Sequence, residues 1–167
     1  MALDLDLVTE TETSTRLYKA PETPVRIAPE RRTFRHSFMV YLKDSNAYTN
    51  VYFARYFEWQ GVCREHWFHH CISDDLLHLD GAFVTKQAHQ DYVHETFPMQ
   101  TVECEVNTFN IRACSFYLRF RFYVGGVLVS SGYQQVVFQK GKKIARLPEF
   151  IAEKVRAYEC RPDTSVQ

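Results

Sequence analysis

No excess of either charge marks this sequence. Lys plus Arg and Asp plus Glu number 20 each, for a formal net charge of zero. That balance leaves no electrostatic footprint for nucleic acid or an anionic membrane surface, so neither is expected as a partner. It is mildly unfavourable for solubility and compatible with self-association. Long apolar runs are missing as well: none approaches the length of a membrane span. The opening residues, MALDLDLVTETETSTRLYK, are acidic and polar, without the basic start and apolar core of a secretory signal. Cysteine is scarce and odd in number, at positions 63, 71, 104, 114 and 160, and no Cys-x-x-Cys spacing occurs. Reduced, mostly buried thiols in a cytoplasmic protein are the expectation. No phosphate-binding loop is present, and Ser130-Ser131-Gly132 lacks the Gly-x-Ser-x-Gly setting of a nucleophile elbow.

What is present is apolar and aromatic. The 167 residues suggest one domain, and 46% hydrophobic with 15% aromatic residues is enough for a sizeable core. Residues 1–32 read as a flexible extension, with Thr and Glu alternating and then Pro21, Pro24 and Pro29, and with Val25 and Ile27 as its candidate anchor. The domain is expected over residues 33–160, and residues 161–167 form a tail. FRHSFMVYL, from Phe34, reads as a first strand ending at Lys43 and Asp44. Asn50 is an N-cap candidate for a helix over about 51–71. Phe53, Phe57, Gly61, Arg64 and Phe68 recur at helical steps, as do Tyr52, Tyr56, Trp59, Cys63 and Trp67. Two adjoining aromatic stripes predict a helix buried around most of its girth. Gly61 inside it predicts close approach of another backbone.

After Asp80-Gly81 the period becomes two. AFVTKQAHQDYVHE, MQTVECEVNTFN, SFYLRFRFYV and VLVSSGYQQVVFQ read as strands, with a tight hairpin at Gly125-Gly126 and a turn at Lys140-Gly141-Lys142. Phe116, Leu118, Phe120 and Phe122 share one face, and Tyr117, Arg119, Arg121 and Tyr123 the other. Pro148 opens a short C-terminal helix, PEFIAEKVRAYE. Short links predict an antiparallel meander. The class is α+β: a curved antiparallel sheet of about five strands wrapped around one long central helix, plus the short C-terminal helix.

That order resembles the hotdog-fold thioesterases of the 4-hydroxybenzoyl-CoA thioesterase type. The resemblance covers about residues 34–140 and rests on Asp44-Ser45-Asn46-Ala47-Tyr48-Thr49-Asn50-Val51-Tyr52-Phe53-Ala54-Arg55-Tyr56. Two departures stand out. Asn46 occupies the place where the broad family carries its catalytic Asp, and Thr49 stands where a glycine is common. With Trp59-Gln60-Gly61-Val62-Cys63-Arg64-Glu65, the pattern looks like the hotdog thioesterases of enediyne polyketide pathways, which have Asn in place of Asp and use an Arg from the helix. The resemblance implies an active site of Asn46, Arg64 and Tyr56, with the backbone N–H of Phe53 as oxyanion donor. It places Asn50, Tyr52, Phe57 and Gly61 along the substrate. It implies hydrolysis of an acyl thioester, a β-ketoacyl polyene, on the acyl carrier protein of an iterative polyketide synthase. It also implies a homodimer formed by continuing the sheet, or a homotetramer. No cofactor is expected.

The chemistry of these residues sets limits of its own. A helix start offers unsatisfied N–H groups and partial positive charge, suited to a developing oxyanion. Asn46 cannot act as a base, although it can hydrogen-bond water or the thioester oxygen. Arg64 stays protonated and can only stabilise charge or hold a carboxylate. Alternatives remain open. Asn46 can be a plain turn residue, Arg64 a snorkelling one, and Asp44 a cap. Glu58 and Glu65 are weak candidates for a helix carboxylate. His66, His69 and His70 share a helix face, which fits a metal site or simply a polar helix end. A general acyl-CoA thioesterase and a non-catalytic acyl-binding domain are the rival functions.

Overall fold

The computed structural model of the protein describes residues 32–75 and 78–160. The flexible extension and the C-terminal tail expected from the sequence lie outside the described residues, apart from Arg32. Among the described residues, six strands form one antiparallel sheet: β1 (Phe34–Met39), β2 (Ala82–Tyr92), β3 (Thr101–Phe109), β4 (Ser115–Val124), β5 (Val127–Lys140) and the two-residue β6 (Lys143–Ile144). The strand order is β1-β3-β4-β5-β2, with β6 paired to the end of β5. The architecture is the expected hotdog, a curled sheet holding the helix α1 (Arg55–Trp67) on its inner face, with α2 (Glu149–Ala157) closing one end.

Alternation decides the sheet faces. Phe116, Leu118, Phe120 and Phe122 are fully buried, as are Val102, Cys104 and Val106 beside them on β3. On the outer face, Glu105 pairs with both Arg35 (2.6 Å) and Arg121 (2.9 Å). Gly125 and Gly126 both hold positive φ, as the tight hairpin turn demands. The five cysteines are free thiols, three of them buried.

Four expectations change. The strands do not form a plain meander. Only β3, β4 and β5 do, whereas β2 pairs with β5 at the far edge, so the chain crosses the end of the sheet before it enters β3. The helix starts at Arg55 rather than near Val51, because Val51 is held back by a bridge to Ser45 and by its N–H bond to the Thr96 carbonyl (2.8 Å). Asn50 is therefore not the N-cap. Ala54 takes that place without a side-chain cap, and Asn50 turns to Glu95. Nor is α1 buried around its girth. Tyr56, Trp59, Gln60, Cys63 and Trp67 face the sheet, while Phe57 and Val62 are exposed. Gly61 lies on that outward side, where a Cβ would meet nothing within 4 Å, so no backbone among the described residues approaches it.

Past Trp67 the helix widens into a π turn, Phe68–Ile72, which buries both of its end residues. The close backbone approach expected at Gly61 occurs at Gly132 instead, where an added Cβ would collide with the His89 carbonyl and the Gln60 amide. Gln60 reaches across there, donating to the His89 carbonyl (2.8 Å) and to Gln90, which in turn bonds Ser130. Among the described residues, no helix is long and apolar enough to cross a membrane.

Candidate active site

The turn between β1 and α1 is built by its own side chains. Asp44 is buried, and its carboxylate accepts the Tyr41 N–H (2.9 Å) across a 3-10 turn, with Arg55 3.8 Å away. Asp44 is thus engaged in capping. Asn46 closes the next loop: its N–H donates to the Asn50 carbonyl (2.9 Å), and its Oδ1 accepts the Tyr48 N–H (2.8 Å). The loop closes through Thr49 at φ +69°, a left-handed conformation that β-branched residues rarely adopt.

At the start of α1 the chain passes from extended to helical geometry. Among the described residues, the backbone N–H groups of Phe53 and Ala54 have no hydrogen-bond acceptor. These are orphan donors of the kind every helix start carries. The Phe53 carbonyl is held by the Tyr92 hydroxyl (3.0 Å), which fixes the peptide plane carrying the Ala54 N–H.

A cleft of about 360 Å³ lies beside this helix start. Asn46, Asn50, Phe53 and Tyr56 form one wall. Tyr92 and the connection between β2 and β3, including Glu95 and Thr96, form the other. Tyr56 is anchored by a hydroxyl–hydroxyl bond to buried Thr96 (2.8 Å) and packs edge-on against Tyr92 and Phe122. Burial raises the pKa of Tyr56, with the Thr96 bond acting against it, and burial also raises that of Tyr92. Both phenols are therefore neutral near pH 7. Asn50 Nδ2 donates to Glu95 Oε1 (2.7 Å), and Asn50 Oδ1 is buried without a partner among the described residues.

The structure brings Asn46, Asn50, Phe53 and Tyr56 into one cleft. It leaves Tyr52, Phe57 and Gly61 outside that cleft, on the exposed or half-exposed side. Arg64 is also elsewhere. It lies eight residues along α1 from Tyr56, about 12 Å at 1.5 Å per residue. There it bonds Thr85 of β2 and Gln134 (3.2 Å), beside a second cleft with Glu65, Phe68 and Phe83. Glu58 pairs with Arg55 on the surface (2.6 Å). Glu95 was not singled out by the sequence, because it sits in the link after β2 and belongs to no motif.

The histidines of the helix end form a stack rather than a ligand set. The rings of His36 and His66 lie 4.0 Å apart, and those of His66 and His70 6.0 Å apart. Burial, with smaller contributions from His66 and His70, lowers the pKa of His36. Among the described residues, no group of His, Cys, Asp or Glu side chains is placed to hold a metal ion.

Comparison with known proteins places this geometry. The sequence model of the thioesterase-like superfamily matches residues 40–155. No match is found among curated proteins. Among solved structures, the dynemicin thioesterase, studied crystallographically for polyene binding, is 25% identical, with 77% of this chain and 98% of that chain covered at a TM-score of 0.70. A thioesterase from Thermus thermophilus complexed with coenzyme A and Zn is 26% identical, covering 75% of this chain and 92% of that one at 0.68. The 1,4-dihydroxy-2-naphthoyl-CoA thioesterase from Synechocystis, at 18% identity, 74% and 96% coverage and 0.67, is a likeness of fold alone.

Proposed function

The chain belongs to the thioesterase-like superfamily and is a thioester hydrolase, and from that premise we propose that it releases a β-ketoacyl polyene from the acyl carrier protein of an iterative polyketide synthase, as in enediyne-type biosynthesis. The observation carrying the reading is the cleft at the start of α1, where Asn46 and Tyr56 meet Phe53 and its orphan N–H group. A thioester carbonyl seated there places its oxygen at the Phe53 N–H and the positive end of the helix dipole, where charge develops during attack. Support for the polyene comes from Asn46 in place of Asp, from the Trp59–Glu65 run, and from the likeness to the dynemicin thioesterase. A second reading, a general acyl-CoA thioesterase, is favoured by the comparable likeness to a thioesterase that binds coenzyme A.

We infer further that the active unit is a homodimer, formed edge to edge through β2 and open to pairing again as a tetramer. β2 is an edge strand of 11 residues with one side unpaired among the described residues. A twofold antiparallel pairing there sets the Thr85 end of one β2 beside the Tyr92 end of the other. Arg64, bonded to Thr85, then reaches the partner's cleft beside Tyr92 and Phe53. In this arrangement Arg64 stabilises the oxyanion or holds a substrate carboxylate, and Asn46 orients the thioester or a water. Tyr52 and Phe57, exposed in the single chain, and half-exposed Gly61 become available to the acyl chain.

The test is thiol release from a β-ketoacyl carrier-protein thioester and from an acyl-CoA panel, by wild type, Asn46→Ala and Arg64→Ala. We expect carrier-protein substrate to be preferred, and each variant to lose roughly a hundredfold or more in kcat, the scale of a lost oxyanion donor. Equal rates on acyl-CoA substrates select the second reading. Folded variants with wild-type rates remove both residues from the site.

A further inference from the structure

We propose that Glu95 is the general base of this thioesterase, positioned by Asn50. The proposal rests on the hydrolase reading of the cleft and supplies what its Asn46–Arg64 pair lacks, since neither an amide nor a guanidinium takes a proton from water. Four titratable groups line the cleft: Tyr56, Tyr92, His94 and Glu95. The two phenols are held neutral, so they donate hydrogen bonds rather than accept protons. Glu95 is the cleft's carboxylate, at its exposed rim. One oxygen, Oε1, is fixed by Asn50 Nδ2 at 2.7 Å, and the other has no partner among the described residues. Asn50 is itself tied down through its neighbours, since its carbonyl accepts from Asn46 and Val51 bonds Thr96.

The donor for the thioester oxygen, Phe53, and the acceptor for the water, Glu95, thus come from different segments, with the cleft between them. The reaction balances with these groups alone. Water attacks the carbonyl carbon as Glu95 takes one proton. The C–O bond forms, and the carbonyl electron pair moves to the oxygen, where the Phe53 N–H group receives it. Collapse of the tetrahedral intermediate breaks the C–S bond, and the departing thiolate takes the proton back from Glu95. One thioester and one water give one carboxylic acid and one thiol.

The experiment compares wild type, Glu95→Gln, Glu95→Asp and His94→Gln on one acyl-pantetheine thioester, across pH, with water and with added hydroxylamine as nucleophile. Expected for Glu95→Gln is a kcat loss of about a hundredfold or more with little change in KM. Its kcat/KM profile loses the acidic limb, Glu95→Asp recovers part of the rate, and hydroxylamine restores thiol release because an amine nucleophile needs no base. A Glu95→Gln enzyme that keeps its rate and its acidic limb overturns the proposal while leaving the hydrolase reading intact. Loss of the limb in His94→Gln alone overturns it in favour of the imidazole. Failure of wild type to release thiol from any thioester overturns the proposal and the hydrolase reading together.

Discussion

Thr49 holds φ at +69° in the loop that presents Asn46 to the cleft. A β-branched side chain there crowds the neighbouring backbone, at a cost of about 1–2 kcal/mol for an L-residue. Glycine adopts that geometry without the clash, offset in part by the greater freedom it gives the unfolded chain. Thr49→Gly is therefore expected to stabilise the fold by about 1 kcal/mol and raise Tm by about 2–4 °C, measured by thermal unfolding. A lower Tm would show that the threonine makes an offsetting interaction. Residue identity made the Asn46 turn legible from sequence, because Asn bonds its own backbone two residues on, as it does here with Tyr48. Glu95 was not legible. A carboxylate after a strand reads as a solvated loop residue, and only the hydrogen bond from Asn50 distinguishes it.

At the scale of elements, alternation gave the faces of β3 and β4 directly, because side chains on a strand must take turns between core and surface. It could not say which strands are neighbours, and so the placement of β2 beyond β5 was missed. The start of α1 was missed for a related reason: Val51 and Tyr52 fit the helical spacing, but long-range bonds to Thr96 and Asp44 hold them extended. The glycine that matters for packing α1 is Gly132 on β5. Gly132→Ala would drive a methyl group into the His89 carbonyl, which is backbone and cannot swing away. Its cost is expected at about 1–3 kcal/mol, read as a lower midpoint in urea unfolding. Gly61→Ala, in open space on an exposed helix face, is the contrasting control and should be neutral or mildly stabilising in the monomer.

At the scale of the whole molecule, the proposed edge-to-edge dimer makes a sharp claim about where Asn46 and Arg64 meet. If each cleft takes Asn46 from one subunit and Arg64 from its partner, the two inactive variants complement each other. A heterodimer of Asn46→Ala and Arg64→Ala contains one cleft with both residues intact and one with neither. Equimolar co-refolding is expected to restore about one quarter of wild-type activity, since half the dimers are mixed and each has one working site. A mixture as inactive as its parents would place both residues in the same subunit's cleft. The crossing of the chain from β2 to β3 has one more consequence. Residues 46–56 supply one wall of the cleft and residues 92–96 the other, and Tyr92 is in turn paired to Ser130 on β5. The site is therefore not portable. The turn and helix that carry its recognisable signature, moved to another scaffold, would arrive with donors for an oxyanion but with neither the second wall nor the carboxylate that faces it.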